Sequence, residues 1–305
     1  MNITVHPTQS PSTEIVPQVK LDRLTICFSD ANQENVESTC KLLWQDAIHK
    51  QVPGIKVKKN ARYAVSAMIP LPYLKSQDDV HTVCFEAGPH VPSNPSYRLD
   101  FNPSRMSPAG IDELKVLIES IIDPTSLEFF RAGRVTRLDA AIDILGVLLD
   151  EVIVRSAKKR KHGVYTDHAG KPETVYLGTP RSARTVAYNR IVNGEPSLRI
   201  ERRLKPMCAG KDVAAIANPF LAVQLNAIDA LEAAGLPFPP VLLADSMRLR
   251  GVKRALLAFD SATRKAIMNA IENAETKMPG AHELWATWPA ALISVGLGSE
   301  LGVPT

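Results

Sequence analysis

Cysteine is scarce in this sequence, with four residues among 305. They are dispersed, no two form a Cys-X-X-Cys pair, and none has a histidine at zinc-ligand spacing: Cys27, Cys40, Cys84 and Cys208. Disulfide frameworks and structural zinc sites both depend on matched ligand spacings, so this pattern argues against either. Scattered free thiols are typical of a reducing compartment, and we predict a cytoplasmic protein.

Long apolar runs are missing as well. No stretch reaches the roughly 20 residues that a transmembrane helix needs, so the sequence predicts no membrane association. The first residues lack the basic and apolar segments of a secretory signal peptide. No repeat period is apparent, and the segment 178–182 lacks the Gly-Lys-Ser/Thr ending of a phosphate-binding P-loop.

The residues that are present have an ordinary balance for a globular protein. Apolar residues make up 45% and charged residues 22% of the chain, and the formal net charge is +4. This mild positive excess is compatible with a polyanionic partner, although it does not identify one. The chain is long enough for one large domain or two modest ones.

Composition divides the chain into three parts. Residues 1–18 are rich in Pro, Thr, Ser and Gln and predict a mobile tail. Residues 19–205 hold short period-two stretches separated by proline-containing loops, which predicts an α+β domain. Residues 206–305 are rich in Ala, Leu and Lys and predict a helical C-terminal region, with helices over 211–235, 240–249, 260–277 and 282–293. We therefore predict an α+β fold with an antiparallel sheet that bears the active site and is flanked by helices.

Two predicted strands carry acids and arginines on one face, since alternate residues of a strand share a face. In the first, over 135–145, these residues are Arg137, Asp139 and Asp143. In the second, over 197–204, they are Arg199, Glu201 and Arg203. A third strand carries Tyr188, and we expect it to lie between the two acid-bearing strands. The alternative is that these side chains are only a solvated surface.

These residue types suit the cleavage of a phosphodiester. The phosphate is anionic, so attack on phosphorus is slow unless its charge is neutralised, and Mg²⁺ or Mn²⁺ held by Asp and Glu oxygens does this. Arginine guanidinium groups fork onto phosphate oxygens. A tyrosine nucleophile stores the broken bond as a phosphotyrosine ester, whereas water would lose it. The residue types are compatible with DNA nicking and rejoining but do not establish it by themselves.

Three ordered motifs give the chain a resemblance to a known family. They are Val135-Thr-Arg-Leu-Asp-Ala-Ala-Ile-Asp143, then Thr174-Val-Tyr-Leu-Gly178 followed by Ser182 and Val186-Ala-Tyr-Asn-Arg190, and finally Leu198-Arg-Ile-Glu-Arg-Arg-Leu204. In order and spacing they are similar to the rolling-circle replication initiators of small plasmids and filamentous phages. That family also includes relaxases of some integrative elements. The resemblance covers about residues 20–205.

The resemblance implies roles for particular residues. Tyr188 is the implied nicking nucleophile, and Tyr176 on a neighbouring strand is its rival, for which structural packing is the alternative. The acids implied to serve the Mg²⁺ or Mn²⁺ ion are Asp139, Asp143 and Glu201. The family's usual lysine after the tyrosine motif is Arg190 here, which keeps the charge but changes its geometry.

Basic residues are the predicted DNA contacts. On the strands, the candidates for phosphate binding are Arg137, Arg190 and Arg199. A basic connection adds Lys158, Lys159, Arg160 and Lys161, for which a solvated loop is the alternative. On or near that connection, His162 and His168 are candidate metal ligands, with solvated loop histidines as the alternative.

We therefore expect a replication initiator that binds the origin of a plasmid or phage genome at a melted or extruded hairpin. It would nick one strand through Tyr188 in a metal-dependent reaction, form a covalent 5′-phosphotyrosine intermediate and leave a free 3′-hydroxyl. A host helicase and a host polymerase would be its partners, and a homodimer would be in keeping with such initiators. Two alternatives stay open: a conjugative relaxase acting at a transfer origin, and a non-catalytic DNA-binding regulator with the same fold.

Overall fold

The computed structural model describes residues 17–45, 52–70, 82–122, 125–156, 161–168, 172–274 and 276–304. These residues form helices that flank a large antiparallel sheet, with further helices at the C-terminus, so the predicted α+β class is confirmed. None of the helices in that part of the chain combines the length and the apolar surface required to cross a bilayer. The predicted tail at 1–18 lies outside the described residues, apart from 17 and 18.

The first half of the sheet is formed by the residues before 102. Its strands are β1 (Lys20–Phe28), β2 (Lys56–Lys58), β3 (Tyr63–Pro70), β4 (Thr82–Pro89) and β5 (Tyr97–Phe101). The helices of this half are α1 (Gln33–Trp44), α2 (Pro108–Ile121) and α3 (Ser126–Ala132). Each helix begins after a residue whose side chain accepts a hydrogen bond from a backbone N–H of the first turn: Asn32, Ser107 and Thr125.

The second half of the sheet repeats this pattern. Its strands are β6 (Arg134–Leu145), β8 (His162–Thr166), β9 (Pro172–Leu177), β10 (Arg184–Val192) and β11 (Glu195–Leu204). The strand β7 (Val152–Ser156) follows β6 in the chain but belongs to a separate two-stranded sheet. The sheet order is β2-β3-β4-β5-β1-β6-β11-β10-β9-β8, and the neighbouring strands are antiparallel. Each half is a long central strand followed by a four-strand meander, and β1 and β6 join the halves. The short strand β12 (Cys208–Ala209) also pairs with β6.

Period-two alternation decides which face of the sheet packs against helices. In β6, Leu138, Ala140 and Ile142 are fully buried and belong to the main hydrophobic core. That core includes Val36 of α1 and Phe129 of α3. The intervening residues of β6 lie on the opposite face, which therefore carries the charged side chains.

The C-terminal region contains helices from residue 240 onward, as predicted, although the helix expected over 260–277 ends at Asn273 and Thr276 instead pairs with Asn226. Its helices are α4 (Pro240–Arg250), α5 (Val252–Ala255), α6 (Ser261–Asn273), α7 (Ala281–Ala286) and α8 (Trp288–Ser294). Trp288 is fully buried in the same core as Leu204 of β11, and its indole N–H donates to the carbonyl of Val213 at 3.2 Å. The domain boundary at residue 205 stays a prediction.

The helix predicted over 211–235 is wrong. The segment instead contains short 3₁₀ turns and the strand β13 (Val223–Ala227), which pairs with β7. Pro219 has no backbone N–H to donate, so a regular helix does not continue through it. Pairing with β7 then holds the following residues extended, and a tertiary contact overrides the helix propensity of an Ala- and Leu-rich sequence.

Candidate active site on the polar sheet face

Charged side chains meet where β6, β11 and β10 lie side by side, on the face that we call the polar face. The register places Arg199 opposite Asp143, Glu201 opposite Ala141, and Tyr188 opposite Arg199. β11 lies between β6 and β10, so the Tyr188 strand is not flanked by two acid-bearing strands. The expected order is corrected here: the other neighbour of β10 is β9. The order of motifs along the chain does not reveal this, because antiparallel pairing decides it.

Tyr188 belongs to a short chain of hydrogen bonds. Its phenolic hydroxyl donates to Oε1 of Glu201 at 2.5 Å. The other carboxylate oxygen, Oε2, accepts from Nε and Nη2 of Arg203 at 2.9 and 2.8 Å. Glu201 is buried and Tyr188 is half-buried. The Arg203 guanidinium therefore fixes the carboxylate in the position where it accepts the hydrogen bond from the phenol.

The surroundings of Tyr188 keep its phenol protonated at neutral pH. Burial raises the pKa of Tyr188 to about 12, and the hydrogen bond and negative charge of Glu201 act in the same direction. Arg199 opposes this with a smaller effect. A nucleophilic role for the phenol therefore needs a base during the reaction, and Glu201 is the carboxylate already in contact with it.

Asp143 lies in a second, more extensive ion pair. Nε and Nη2 of Arg199 donate to its two carboxylate oxygens at 2.7 and 2.9 Å, and the Lys20 ammonium contacts Oδ2 at 2.8 Å. Nη1 of Arg199 reaches Asp22 at 3.0 Å. Burial by itself would raise the pKa of Asp143, but Arg199 and Lys20 outweigh it and lower the pKa to about 2.

Asp139 is held by its own strand neighbour. Nε and Nη2 of Arg137, two residues earlier, donate to the Asp139 carboxylate at 3.0 and 2.6 Å, and Nε of Arg203 lies 3.8 Å from it. Burial of Asp139 raises its pKa in spite of these guanidinium groups, and the nearby Glu201 charge adds to the increase. Arg203 thus lies between two carboxylates.

The three predicted metal ligands do not converge in this arrangement. Asp139 and Asp143 are four residues apart on one strand, which separates their backbones by about 13 Å, and each of the two is bound by a guanidinium group, as is Glu201. Among the described residues, no three His, Cys, Asp or Glu side chains cluster closely enough to hold a metal ion. The assignment of these acids to a metal stays a prediction that the contacts do not favour.

The predicted DNA contacts fall into three groups. Arg137 and Arg199 are engaged by carboxylates, whereas Arg190 and Lys161 are exposed. The third group of predicted contacts lies outside the described part of the chain: Lys158, Lys159 and Arg160.

The candidate metal ligand His162 is engaged elsewhere. Its ring Nε2 contacts the backbone carbonyl of Arg248, and burial lowers the pKa of His162.

The first half of the sheet holds none of the predicted site residues, yet it carries charged pairs of the same kind. There, Arg98 donates to both Glu86 and Asp100 at 2.5 Å, and Arg23 forms two further bonds with Asp100. The sequence does contain a pattern that indicates these pairs: Arg98-Leu-Asp100 has the same Arg-X-acid spacing as Arg137-Leu-Asp139. The polar face therefore continues across β1, β5 and β4.

Replacing Asp143 by Asn is expected to lower the free energy of unfolding at pH 7 by on the order of 2–3 kcal/mol. The pKa of Asp143 is about 2 in the folded chain, against about 3.9 when unfolded. The carboxylate's contribution is therefore complete above about pH 5 and is lost as the pH falls toward 2. Urea unfolding from pH 7 to pH 2.5 should show the difference between wild type and Asp143→Asn shrinking. Asp112→Asn, on a side chain that is 72% exposed, is the control and should change little; a difference independent of pH would contradict the prediction.

Comparison of the chain with protein-family profiles and with curated proteins finds no match. The resemblance to rolling-circle initiators therefore rests on its three sequence motifs.

Proposed function

We propose that the chain is a DNA nicking and rejoining enzyme that starts rolling-circle replication of a plasmid or phage, with Tyr188 as its nucleophile. The observation that carries this proposal is the hydrogen-bond chain from Tyr188 to Glu201 to Arg203. A nucleophile, a base within hydrogen-bond reach and a third group that orients the base are the usual parts of nucleophilic catalysis. The order and spacing of the three motifs support the same proposal.

The proposed step is a transesterification. Glu201 accepts the phenolic proton while the Tyr188 oxygen attacks the phosphorus atom, and the bond from phosphorus to the 3′-oxygen breaks. The 3′-oxygen leaves and takes up a proton from solvent, which gives a free 3′-hydroxyl and a 5′-phosphotyrosine ester. In the reverse direction, a 3′-hydroxyl releases its proton to solvent as its oxygen attacks the ester, and the phenol recovers its proton from Glu201. The bond energy is kept, so the strand can be rejoined.

The dependence on Mg²⁺ or Mn²⁺ is part of the proposal, because a divalent ion neutralises phosphate charge during attack. Its predicted ligands, Asp139, Asp143 and Glu201, are bound by arginines, and the proton transfer from Tyr188 to Glu201 does not itself require the ion. Binding of an ion by these acids would require a guanidinium group to move away. The origin as target, the host helicase and polymerase as partners, the homodimer and the cytoplasmic location likewise stay proposals.

A non-catalytic DNA-binding regulator is the second candidate. It is favoured by one observation: the carboxylates of the polar face are paired with basic side chains, as expected for a face that has only to remain folded and nearly neutral. A conjugative relaxase would use the same Tyr188 step as an initiator. Only the DNA sequence that is cut, a transfer origin or a replication origin, separates those two enzymes.

The test is incubation of the protein with supercoiled plasmid that carries its origin, in the presence of Mn²⁺, of Mg²⁺ or of EDTA. We expect nicked circles and protein covalently attached to DNA in the metal-containing samples. Activity that persists in EDTA would remove the metal from the proposal and leave the Tyr188 step in place. Absence of nicked circles and of adduct under all conditions, with origin binding retained, would favour the regulator.

A further inference from the structure

A cleft opens at the β8–β9 end of the sheet. It has a volume of about 720 Å³ and lies between β8, β9 and the turn that connects β9 to β10. The residues that give it its character are Lys161, Gly163, Tyr165, Tyr176, Arg181 and Arg184. This cleft is not part of the Tyr188–Glu201–Arg203 chain, and the proposed reaction does not use it.

Aromatic rings form one side of the cleft. The Tyr165 ring packs edge-on against Tyr176, with ring centroids 5.5 Å apart and planes at 72°. The Arg184 guanidinium lies 4.7 Å from the centroid of Tyr176. Tyr165 is 66% exposed, so its ring contributes little to the core and is available to a flat partner.

The charge of the cleft differs from that of the polar face. Lys161, Arg181 and Arg184 line the cleft, and no carboxylate is among its lining residues. Arg184 has no carboxylate within ion-pair distance in the described part of the chain. On the polar face, in contrast, three arginines of β6 and β11 are paired with acids: Arg137, Arg199 and Arg203. The cleft therefore carries positive charge that its lining residues do not compensate, and this charge attracts an anion.

Strand register places the cleft on the same face as the candidate nucleophile. Tyr165 pairs with Thr174, and Thr174 pairs with Tyr188, so Tyr165 and Tyr188 lie in one row across β8, β9 and β10. Two strand spacings separate their backbones, which is about 10 Å. A ligand that spans this distance contacts the cleft and the Tyr188 hydroxyl together.

We propose that this cleft binds an unpaired nucleotide of the DNA strand on which Tyr188 acts. Its base stacks on Tyr165, and Lys161, Arg181 and Arg184 contact the adjacent phosphates. The base that stacks on Tyr165 has to be unpaired, because the ring faces of a base in a duplex are already covered by the neighbouring base pairs. The identity of the strand rests on the proposed function, whereas binding of single-stranded DNA by the cleft does not.

The test is fluorescence anisotropy with a labelled single-stranded oligonucleotide and with a matched abasic one, in a Tyr188→Phe background that prevents cleavage. Tyr165→Ala should weaken binding about tenfold, the typical loss for one stacked base, while Tyr165→Phe should keep it within about twofold. In Tyr165→Ala, the preference for the normal over the abasic strand should disappear. Trp44→Ala, at an aromatic residue of α1 that is 46% exposed, is the matched control and should bind like the parent.

A second variant fills the cleft and leaves its rings and charges in place. A Cβ atom at Gly163 would have Tyr176 as its nearest neighbour, at 4.0 Å, so Gly163→Val fits the strand and should reproduce the loss. An unchanged preference for the normal strand in both Tyr165→Ala and Gly163→Val would overturn the proposal. The anisotropy assay does not measure nicking, so the two proposals can fail separately. If binding depends on Tyr165 but the wild-type protein never nicks DNA, the proposed reaction of Tyr188 is wrong and the assignment of the cleft stands.

Discussion

Replacing Tyr188 by Phe should abolish the covalent protein–DNA adduct and lower nicking at the origin by at least about a thousandfold. Phenylalanine keeps the ring that packs in β10 and removes only the hydroxyl that donates to Glu201 at 2.5 Å. Without that oxygen, no phosphotyrosine ester forms. The measurement is a denaturing gel of protein incubated with an end-labelled origin oligonucleotide, on which an adduct migrates as a slower band.

Tyr176→Phe is the matched control for this experiment. Tyr176 lies on the adjacent strand, opposite Val186, and its ring contacts Tyr165 and Arg184. Phenylalanine keeps the ring that lines the cleft and removes only the hydroxyl, so we expect this variant still to form the adduct. If the adduct is lost in Tyr176→Phe and persists in Tyr188→Phe, the nucleophile has been assigned to the wrong tyrosine. A peptide map of the adduct identifies the attached residue directly.

Replacing Glu201 by Gln should lower the rate of nicking at pH 7 by about 10²–10⁴-fold, the usual contribution of a general base. Glutamine has the same shape, and its amide oxygen can still accept a hydrogen bond from Tyr188, but it takes up no proton. Loss of the negative charge should also lower the pKa of Tyr188 from about 12. That pKa still lies well above neutral, so the phenol stays protonated and the loss of the base dominates.

The pH profile separates this chemical role from a structural one. With Glu201 as the base, wild-type nicking should change little between pH 7 and pH 9. In Glu201→Gln the ionised fraction of Tyr188 rises about tenfold per pH unit, and the residual rate should rise with it. Glu195→Gln, at an exposed position of the same strand, is the control. A Glu201→Gln enzyme with the wild-type rate and profile would exclude Glu201 as the base.

Period-two alternation was sufficient to predict which side chains of β6 share a face. Leu138 and Ile142 are in the core, and Arg137, Asp139 and Asp143 are on the other side, as expected. This works because the side-chain period of a strand is fixed by its backbone. The same reasoning does not extend to neighbours across the sheet, because register and strand order are set by contacts between distant residues.

The pairing of acids with arginines was the part that the sequence could not specify. A carboxylate on a polar face looks the same in sequence whether it binds a metal ion or a guanidinium group. Arg199 contacts Asp143 because β11 pairs with β6, and the two residues are 56 positions apart. The cleft cannot be predicted from the sequence for a related reason: Tyr165, Tyr176 and Arg184 come from three strands, and no pattern within one strand shows that they meet.

The junction of β1 with β6 has a consequence for how the chain is made. Lys20 and Asp143, which meet at this junction, are 123 positions apart. At a synthesis rate of about 5–20 residues per second, β1 therefore emerges roughly 6–25 s before its partner. During that interval one edge of β1 is unpaired and open to the strands of other nascent chains. Asp22, at the register shift of β1, places a negative charge at this edge, and charge at an edge opposes pairing with other strands. Its partner Arg199 is supplied only when β11 is made.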